Sequence, residues 1–372
     1  MGKSVCILTS THPATDVRVF YREARTLAKR GLRVSVFADW DREEDRDGVR
    51  IYPVRKPKNR FVRILLLYRF LINGLSCPAD IYHFHELELV PFMIILKILS
   101  RKPVIFDIHE DFEVQYRKAR WLAGRPLKFV LVSISRLLLF ISCIFDGIVL
   151  AFDYRRKYLF DKKPLCILRN YPIKNMFGRF PYPDDKKGNY VLYTGGISRR
   201  RGIEEMIEAV RIANKRVDVK LLLIGKPIEA GILPLIEANR DIVDYRGFLD
   251  WKEAVEIYRI AKVGLYIVHP TSGLAGNLPN KIFEYMAMGI PIIASGEESW
   301  RRYIEETDSG FIIDGFEPTC YAEKIVYLFK NKDEARRLGA NGRYAFETHF
   351  NWEAESKKLL ALYDRILKGE DI

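Results

Sequence analysis

The chain of 372 residues lacks the features that mark secreted, membrane-spanning or disulfide-stabilised proteins. Its cysteines are Cys6, Cys77, Cys143, Cys166 and Cys320. Their odd number and their spacing match neither disulfide pairs nor a metal site, so we expect reduced thiols in the cytoplasm. The chain starts without the long apolar core of a secretory signal, which argues against export. Charged residues cut the stretches 54–74 and 137–145 well short of the roughly 20 apolar residues that a bilayer-spanning helix needs.

Acidic residues are scarce in one half of the chain only. Residues 1–175 contain 32 Lys and Arg against 18 Asp and Glu, whereas residues 176–372 contain 29 against 30. The net charge of +13 therefore comes from the first half, which predicts an anionic partner there. Nucleic acid, an anionic lipid surface and a phosphate-bearing substrate are the candidates, and solubility alone is the competing explanation. No motif of a nucleic-acid-binding module is visible, so we expect no nucleic acid.

Short β-branched runs alternate with helical patterns along the whole chain. Strands are predicted at 5–10, 33–38, 49–54, 81–85, 104–109 and 147–152, and again at 190–194, 220–224, 243–247, 263–268, 290–295 and 311–313. Nearly all their positions are apolar, as in parallel strands covered on both faces, which predicts a doubly wound α/β fold. The stretch 170–190 is rich in Pro, Gly and Asn and predicts a linker. We therefore expect two Rossmann-like domains, at 1–172 and 188–350, with a final helix at 352–370 that packs back on the first.

The segment "TGGISRRRG" (194–202) lies at the end of a predicted strand, where open α/β sheets bind their ligands. Gly195 and Gly196 allow a close backbone approach, and Arg199, Arg200 and Arg201 crowd the start of the next helix. Three adjacent cations repel one another unless an anion binds, so the segment predicts a phosphate site. A solvated basic turn is the alternative.

The segment "NLPNKIFEYMAMGIPIIAS" (277–295) predicts a helix about three turns long, with Pro279 at its first position and Gly289 at its end. Lys281 and Glu284 share one face at a spacing that lets them pair with each other. A glutamate beside a phosphate-binding loop can also accept hydrogen bonds from both hydroxyls of a ribose. The two segments together predict a nucleotide site.

Histidines and carboxylates mark the predicted strand ends of the first half. They are His12, Asp16, His83, His85, Glu86, His109 and Glu110, and Arg18 is a cation that accompanies them. We expect no metal at the strand ends of His83, His85, Glu86, His109 and Glu110, because their spacing matches no metal signature and no cysteine accompanies them, and we expect His109 to contact a sugar or to move a proton. His12, Asp16 and Arg18 predict a polar loop at the cleft, and a capped helix start is the alternative. For His109, a hydrogen-bonded core histidine is the alternative.

With these residues in view, the chain resembles the retaining nucleotide-sugar glycosyltransferases of GT-B fold, family 4. The likeness is most specific in the second half, where "GGISRRRG", "VDYRGFLDWKEAVEIYRIAKVGLYIV" and "LPNKIFEYMAMGIPIIAS" follow the family's order and spacing. In the first half, "HPATDVRVFYREARTLAKRG", "ADIYHFHELEL", "VIFDIHED" and "LRNYP" look like one branch of it. The resemblance implies two Rossmann-like domains facing a central cleft, the first binding the acceptor and the second the sugar nucleotide.

The resemblance also implies roles for single residues. Arg201 matches the family's cation on the donor diphosphate, Glu284 its glutamate on the ribose, and His109 its histidine at the donor sugar. The implied catalytic residues are His109, Arg201 and Lys281, and the implied donor-binding residues are Gly195, Gly196, Arg200, Arg201, Asn277, Lys281 and Glu284. Those implied for the acceptor or sugar cleft are His12, Asp16, Arg18, His85 and Glu110. Gly276 stands where the family commonly has a second glutamate, and Gly196 where it often has an arginine.

The implied reaction moves a sugar with retention from a UDP- or GDP-sugar to a glycan or lipid-linked acceptor, as in polysaccharide or lipopolysaccharide synthesis. Positioning and charge stabilisation suffice for it, so we expect neither a metal nor another cofactor. The basic, apolar stretch 54–74 predicts a helix that attaches peripherally to the inner face of the membrane, and a buried helix with a basic outer face is the alternative. A nucleotide-sugar epimerase of the same fold and a catalytically inactive, membrane-associated family member are the alternatives.

Overall fold

The computed structural model describes residues 2–109, 127–151, 165–178, 188–270 and 278–369. The chain forms two compact units, one of Met1–Asn170 together with Glu355–Ile372 and the other of Tyr171–Ala354. Each unit has a sheet and a hydrophobic core of its own.

The first unit is built on an eight-stranded sheet. Its strands are β1 (Ser4–Pro13), β2 (Arg33–Asp39), β3 (Glu44–Arg46), β4 (Val49–Pro53), β5 (Ile81–Phe84), β6 (Val104–Ile108), β7 (Gly147–Leu150) and β8 (Leu165–Ile167). They lie in the order β3-β4-β2-β1-β5-β6-β7-β8, all parallel except β3 against β4. The order reverses between β1 and β5, which is the switch point where doubly wound sheets bind ligands.

Helices cover both faces of this sheet. They are a π-helical segment (Val17–Ala24), α1 (Arg25–Lys29), α2 (Arg60–Leu65), α3 (Tyr68–Ser76), α4 (Val90–Ser100), α5 (Leu127–Ile141) and the final helix (Trp352–Lys368). α3, α4 and α5 bury Phe70, Met93 and Leu139 in one core cluster with Phe84, so these three helices share one face of the sheet. Side chains alternate along a strand, so His83 points to the opposite face, where it meets the final helix.

The second unit has a six-stranded sheet in the order β11-β10-β9-β12-β13-β14, parallel throughout. Its strands are β9 (Tyr190–Thr194), β10 (Lys220–Ile224), β11 (Val243–Tyr245), β12 (Ala261–Tyr266), β13 (Ile292–Ser295) and β14 (Gly310–Ile313). The order reverses between β9 and β12, so the glycine-arginine loop after β9 lies at the switch point of this sheet.

The helices of the second unit are α6 (Lys174–Phe177), α7 (Ile203–Asn214), α8 (Ile232–Glu237), α9 (Trp251–Tyr258), α10 (Asn280–Ala287), α11 (Glu298–Glu306), α12 (Pro318–Lys330) and α13 (Lys332–Thr348). α9 begins with a capping box, in which Asp250 accepts hydrogen bonds from the amides of Lys252 and Glu253. This cap fixes the start of the helix that ends at Tyr258, beside the candidate site.

Three local predictions were wrong. Pro279 is the extended residue before α10, not its first helical position, and α10 has eight residues, which is about two turns. The stretch 54–74 forms two separate helices, α2 and α3, instead of one. Residues 171–177 are not a linker, because Tyr171 and Phe177 are buried in the core of the second unit. Within the described ranges, no helix combines the length and the apolar character that crossing a bilayer requires.

Two glycines offer a test of the turn that shapes the loop after β9. Gly225 has a φ of 146°, and a Cβ there would lie 1.7 Å from the carbonyl oxygen of Gly195. Gly247 also has a positive φ, 71°, but a Cβ there would meet no atom within 4 Å. We therefore expect Gly225→Ala to lower the free energy of unfolding by at least about 3 kcal/mol, and Gly247→Ala by about 1 kcal/mol. Urea unfolding measures both, and equal losses would contradict the close approach.

Candidate functional site

The loop after β9 brings glycine backbone next to two cations. Gly195 has a φ of 129°, and a Cβ there would lie 3.6 Å from Cε of Lys281 and 3.7 Å from Nη1 of Arg201. Glycine adopts this conformation without strain and leaves open the space that a side chain would fill. The space beside Gly195 is therefore bordered by two positive side chains, which suits an anion.

The three arginines of this loop differ in their partners. Arg199 forms an ion pair with Glu204, with Nε and Oε1 2.9 Å apart. Arg201 donates to the carbonyl oxygen of Gly196 at 3.3 Å, and no carboxylate of the described residues pairs with it. Arg200 is exposed and likewise forms no ion pair within the described part of the chain. Arg200 and Arg201 therefore keep their charge available for an anion, whereas Arg199 stabilises the loop itself.

Glu284 is held in place by two hydrogen bonds to one of its oxygens. Its Oε2 accepts from the hydroxyl of Tyr258 at 2.8 Å and from Nζ of Lys281 at 3.1 Å. The Tyr258 hydroxyl also lies 3.2 Å from Oγ1 of Thr194, at the end of β9. Burial and the nearby Glu284 charge raise the pKa of Tyr258, so the phenol keeps its proton and can donate it. In the described residues, nothing donates to the other oxygen, Oε1, which is free to accept from a ligand.

Three residues of this site were missed by the sequence analysis: Tyr193, Tyr258 and His269. The Tyr193 hydroxyl donates to the carbonyl oxygen of Gly196 at 2.9 Å and so supports the loop. His269 follows β12, with its Nε2 2.9 Å from Oε1 of Glu205. Tyr193 could have been found from its position just before the glycines. Tyr258 gives no such signal, because its helical pattern is that of any core tyrosine.

In the first unit, Glu86 organises the loop at the switch point between β1 and β5. Its Oε1 accepts from the hydroxyls of Thr9 and Thr11, and its Oε2 accepts from the amide of Ser10 at 2.9 Å. Only 4% of Glu86 is exposed. A buried carboxylate with several donors is a rigid anchor, so Glu86 fixes the backbone that carries His12.

His12 and His109 meet beside this loop. Their Nε2 atoms are 3.0 Å apart, so one ring donates and the other accepts. His12 also lies close to Asp16, with Nδ1 and Oδ2 3.3 Å apart. Burial raises the pKa of Asp16, but hydrogen bonds from His12 and from the amides of Val19 and Arg18 outweigh it, and the pKa lies well below its usual value. The ionised Asp16 favours a proton on Nδ1 of His12 and so orients this ring.

Arg18 and His85 lie inside the first unit. Arg18 is 5% exposed and donates to both oxygens of Asp107, at 2.8 and 3.0 Å. His85 is fully buried, with its Nδ1 3.5 Å from Oδ2 of Asp107. Both side chains therefore have internal neighbours and little or no surface that an acceptor could touch. We revise their predicted role from acceptor contact to an internal one.

The other predicted site residues fall into two groups. In the second unit, Gly195, Gly196, Arg201, Lys281 and Glu284 come together. In the first unit, His12, Asp16 and His109 do so. Glu110, Gly276 and Asn277 lie outside the described residues, and their roles stay predictions.

Family models cover most of the chain. The model of glycosyl transferases group 1 matches residues 177–345, and that of glycosyltransferase family 4 matches residues 17–149. Spore coat protein SA of Bacillus subtilis is 28% identical over 186 residues, 47% of this chain and 48% of that protein. The capsular polysaccharide biosynthesis glycosyltransferase CapM of Staphylococcus aureus is 25% identical over 190 residues, 49% and 48% of the two chains. The chain thus spans about half the length of the curated relatives it matches.

Solved structures share the fold over nearly the whole chain. Sucrose-phosphate synthase from Thermosynechococcus elongatus has a TM-score of 0.76 at 19% identity, over 99% of this chain and 100% of that one. HepE from Anabaena, in complex with UDP-glucose, has a TM-score of 0.70 at 13% identity, over 97% and 100%. At such identities the likeness shows the fold alone, which is GT-B. The two family models together match most of the chain, and they show that it belongs to the group 1 glycosyltransferases.

The hydrogen bond from Tyr258 to Glu284 yields a prediction. We expect Tyr258→Phe to weaken nucleoside diphosphate binding about three- to tenfold, because a hydrogen bond to a carboxylate is lost and Glu284 can rotate. Tyr327→Phe is the matched control, since that side chain is 42% exposed. Isothermal titration calorimetry measures both. An unchanged affinity of Tyr258→Phe would show that Glu284 needs no support from this phenol.

Proposed function

We propose that this glycosyltransferase moves a sugar, with retention, from a UDP- or GDP-linked donor to a glycan or lipid-linked acceptor in cell-surface polysaccharide or glycolipid synthesis. One observation carries the proposal: the cations Arg201 and Lys281 and the carboxylate of Glu284 converge on the glycine loop at the switch point of the second sheet. Cations beside a glycine loop suit a diphosphate, and the free carboxylate oxygen suits a ribose.

The chemistry asks little of the protein beyond position and charge. As the sugar leaves, negative charge builds up on the diphosphate, and Arg201 and Lys281 are placed to stabilise it. Glu284 fixes the ribose and so the distance between the sugar carbon and these cations. The proposed transfer involves no covalent intermediate with the protein, and none of its steps uses a metal ion.

Two relatives support this kind of substrate. HepE from Anabaena was solved with UDP-glucose, and CapM of Staphylococcus aureus is a capsular polysaccharide biosynthesis glycosyltransferase. For this chain, the cations and the glutamate beside the glycine loop favour a sugar nucleotide as the donor.

The pair His12 and His109 is the candidate contact for the transferred sugar or the acceptor hydroxyl, because both rings are partly exposed and can exchange a proton.

Nucleotide titrations test the donor site. We expect one of UDP, GDP and ADP to bind, and expect Arg201→Gln to weaken it at least tenfold, about 1.4 kcal/mol. Glu284→Gln is expected to weaken the ribonucleotide similarly but its 2′-deoxy analogue less, because that analogue has only one of the two hydroxyls that Glu284 contacts. Arg211→Gln is the control, since Arg211 pairs with Asp241 on the surface. Equal affinity of wild type and Arg201→Gln for every nucleotide would remove the site assignment.

Turnover of sugar nucleotides separates the alternatives. An epimerase would release a changed sugar without an acceptor, and an inactive family member would bind the nucleotide but turn nothing over. We expect slow donor hydrolysis without acceptor and faster transfer with it. Product analysis by mass spectrometry and by proton NMR of the anomeric centre reports the transfer and its stereochemistry.

We also propose that the first unit attaches to the anionic inner face of the membrane, where a lipid-linked acceptor would lie. Helices α2, α3, α4 and α5 contain no Asp or Glu but six Lys or Arg, of which Arg63 pairs with Glu88 and Lys97 with Asp146. Their exposed apolar side chains include Leu65, Ile98, Leu99, Phe129 and Phe140. A groove of about 550 Å³ beside α3 is lined by Arg55 and Arg69. Apolar side chains next to cations suit an anionic lipid surface, at about 1 kcal/mol per cation.

Exposed phenylalanines test this attachment. Phe129 and Phe140 are 77% and 65% exposed on α5. We expect Phe129→Ser with Phe140→Ser to weaken binding to vesicles of phosphatidylglycerol and phosphatidylcholine at least tenfold, because two aromatic side chains no longer enter the lipid. Phe248→Ser is the control, since Phe248 is 65% exposed in the second unit. Co-sedimentation measures binding, and equal binding of the double variant and the wild type would refute the proposed surface.

A further inference from the structure

Three buried side chains of the first unit point unpaired polar atoms at one another. Glu23 lies in the π-helical segment, and His83 and His85 lie on β5 and directly after it; none of the three has any exposed surface. Oε2 of Glu23 is 3.6 Å from Nε2 of His85 and 4.0 Å from Nε2 of His83. These three atoms have no hydrogen-bond partner. Buried polar atoms without a hydrogen-bond partner destabilise a fold, so the arrangement calls for a group that satisfies them.

The second polar atom of each side chain also has a neighbour, but only that of His83 forms a hydrogen bond. Nδ1 of His83 is 2.8 Å from the hydroxyl of Tyr363 on the final helix. Nδ1 of His85 lies 3.5 Å from Oδ2 of Asp107, and Oε1 of Glu23 lies 3.1 Å from Nε of Arg18, both as charged neighbours without a hydrogen bond. Metal-binding histidines usually turn their second nitrogen to such an outer partner, which fixes the ring and leaves Nε2 for the ion.

We propose that Glu23, His83 and His85 hold one divalent ion of the zinc class, with Tyr363, Asp107 and Arg18 as their outer partners. Donor atoms that bind one ion at 2.0–2.1 Å lie about 3–4 Å apart, and the two distances from Oε2 of Glu23, 3.6 and 4.0 Å, fall in this range. The ligand atoms that Glu23, His83, His85 and Asp107 offer all lie within 4.8 Å of one another. Asp107 is the less suitable ligand, because Arg18 binds both of its oxygens.

The charges around the cluster fit such an ion. Arg18 is a single positive charge shared by two carboxylates. A divalent ion supplies the further positive charge that an ionised, buried Glu23 needs.

The ligand set indicates both the kind of ion and its role. Two imidazoles and one carboxylate suit zinc and its neighbours among the first-row metals better than magnesium or calcium, which prefer oxygen. The ion would join the π-helical segment to β5 and, through Tyr363, to the final helix, so we assign it a structural role. This revises our expectation from the sequence, where the spacing of His83 and His85 matched no metal signature. The carboxylate comes from Glu23, 60 residues earlier in the chain.

The metal content of the full chain tests the proposal. The protein is purified without a polyhistidine tag and dialysed against zinc. We then expect about one zinc ion per chain, measured by inductively coupled plasma mass spectrometry. Removal of the ion with 1,10-phenanthroline is expected to lower the Tm, and zinc to restore it. In the cobalt-loaded wild type, X-ray absorption should show two imidazole ligands, a result that does not depend on any variant folding.

Variants assign the ion to these residues. His85→Gln is expected to lower the bound zinc at least tenfold, and His349→Gln, which removes an exposed histidine of the second unit, to leave it unchanged. A wild-type chain that takes up none of zinc, cobalt, manganese or ferrous iron would overturn the proposal and leave a buried water or proton to satisfy these atoms. Equal zinc loss in both variants, or absorption spectra without imidazole, would overturn it as well. Nucleotide titrations do not depend on these outcomes, so they test the proposed donor site separately from the proposed ion.

Discussion

The first unit depends on one buried cation, the guanidinium of Arg18. A charge in the protein interior is costly unless it is paired and all its donors are used. Arg18 forms four hydrogen bonds, two with Asp107, one with the carbonyl oxygen of Leu168 at 3.1 Å and one with Oδ1 of Asn170 at 2.7 Å. Asp107 lies on β6, and Leu168 and Asn170 directly follow β8, so a single side chain joins two parts of the chain at the carboxyl end of the sheet. It also keeps Asp107 charged: burial alone would raise the pKa of Asp107, yet Arg18 lowers it well below its usual value.

The pairing of Arg18 with Asp107 explains how the partly exposed His109 and the buried cluster of Glu23, His83 and His85 lie in one region. His109 lies two residues after Asp107 and is partly exposed, while His85 touches Asp107 from inside. Any change at Asp107 therefore reaches both the proposed sugar contact and the proposed ion. In the second unit the corresponding constraint is steric: the backbone of Gly225 touches the carbonyl of Gly195, and this contact leaves the space beside Arg201 open.

The sequence predicted the parts of the molecule that repeat a pattern and missed those that depend on burial. β9 and β10 have the predicted bounds, because an apolar run between polar flanks can be little else than a buried strand. β3 was missed because its three residues, Glu44–Arg46, are all charged, and it forms only by pairing with β4. Glu23 was missed for a similar reason. On a helix, a buried glutamate looks like any surface glutamate, and only the fold shows that two histidines lie opposite.

The donor motif was easier to predict than the geometry that supports it. Glycines and arginines after a strand have few other uses, so the loop could be identified from its spacing. Tyr258, which holds Glu284, lies 26 residues away in the chain, and its core-facing helical position hides its hydroxyl's role. Supporting residues of this kind are visible only once tertiary contacts are known, because any residue type with the right donor could fill the position.

The uneven charge of the chain bears on what the two units bind. In the second unit, the proposed diphosphate needs only a few cations, such as Arg201 and Lys281 beside Gly195, because it is small and its charge is concentrated. Helices α2, α3, α4 and α5 contribute six cations and no acidic residue to the surplus of the first half, and two of these cations, Arg63 and Lys97, pair with Glu88 and Asp146. Cations spread over several helices suit an extended anionic surface better than one small ligand, which can contact only a few of them. For this reason we propose a membrane surface, and not the sugar nucleotide, as the partner of these helices.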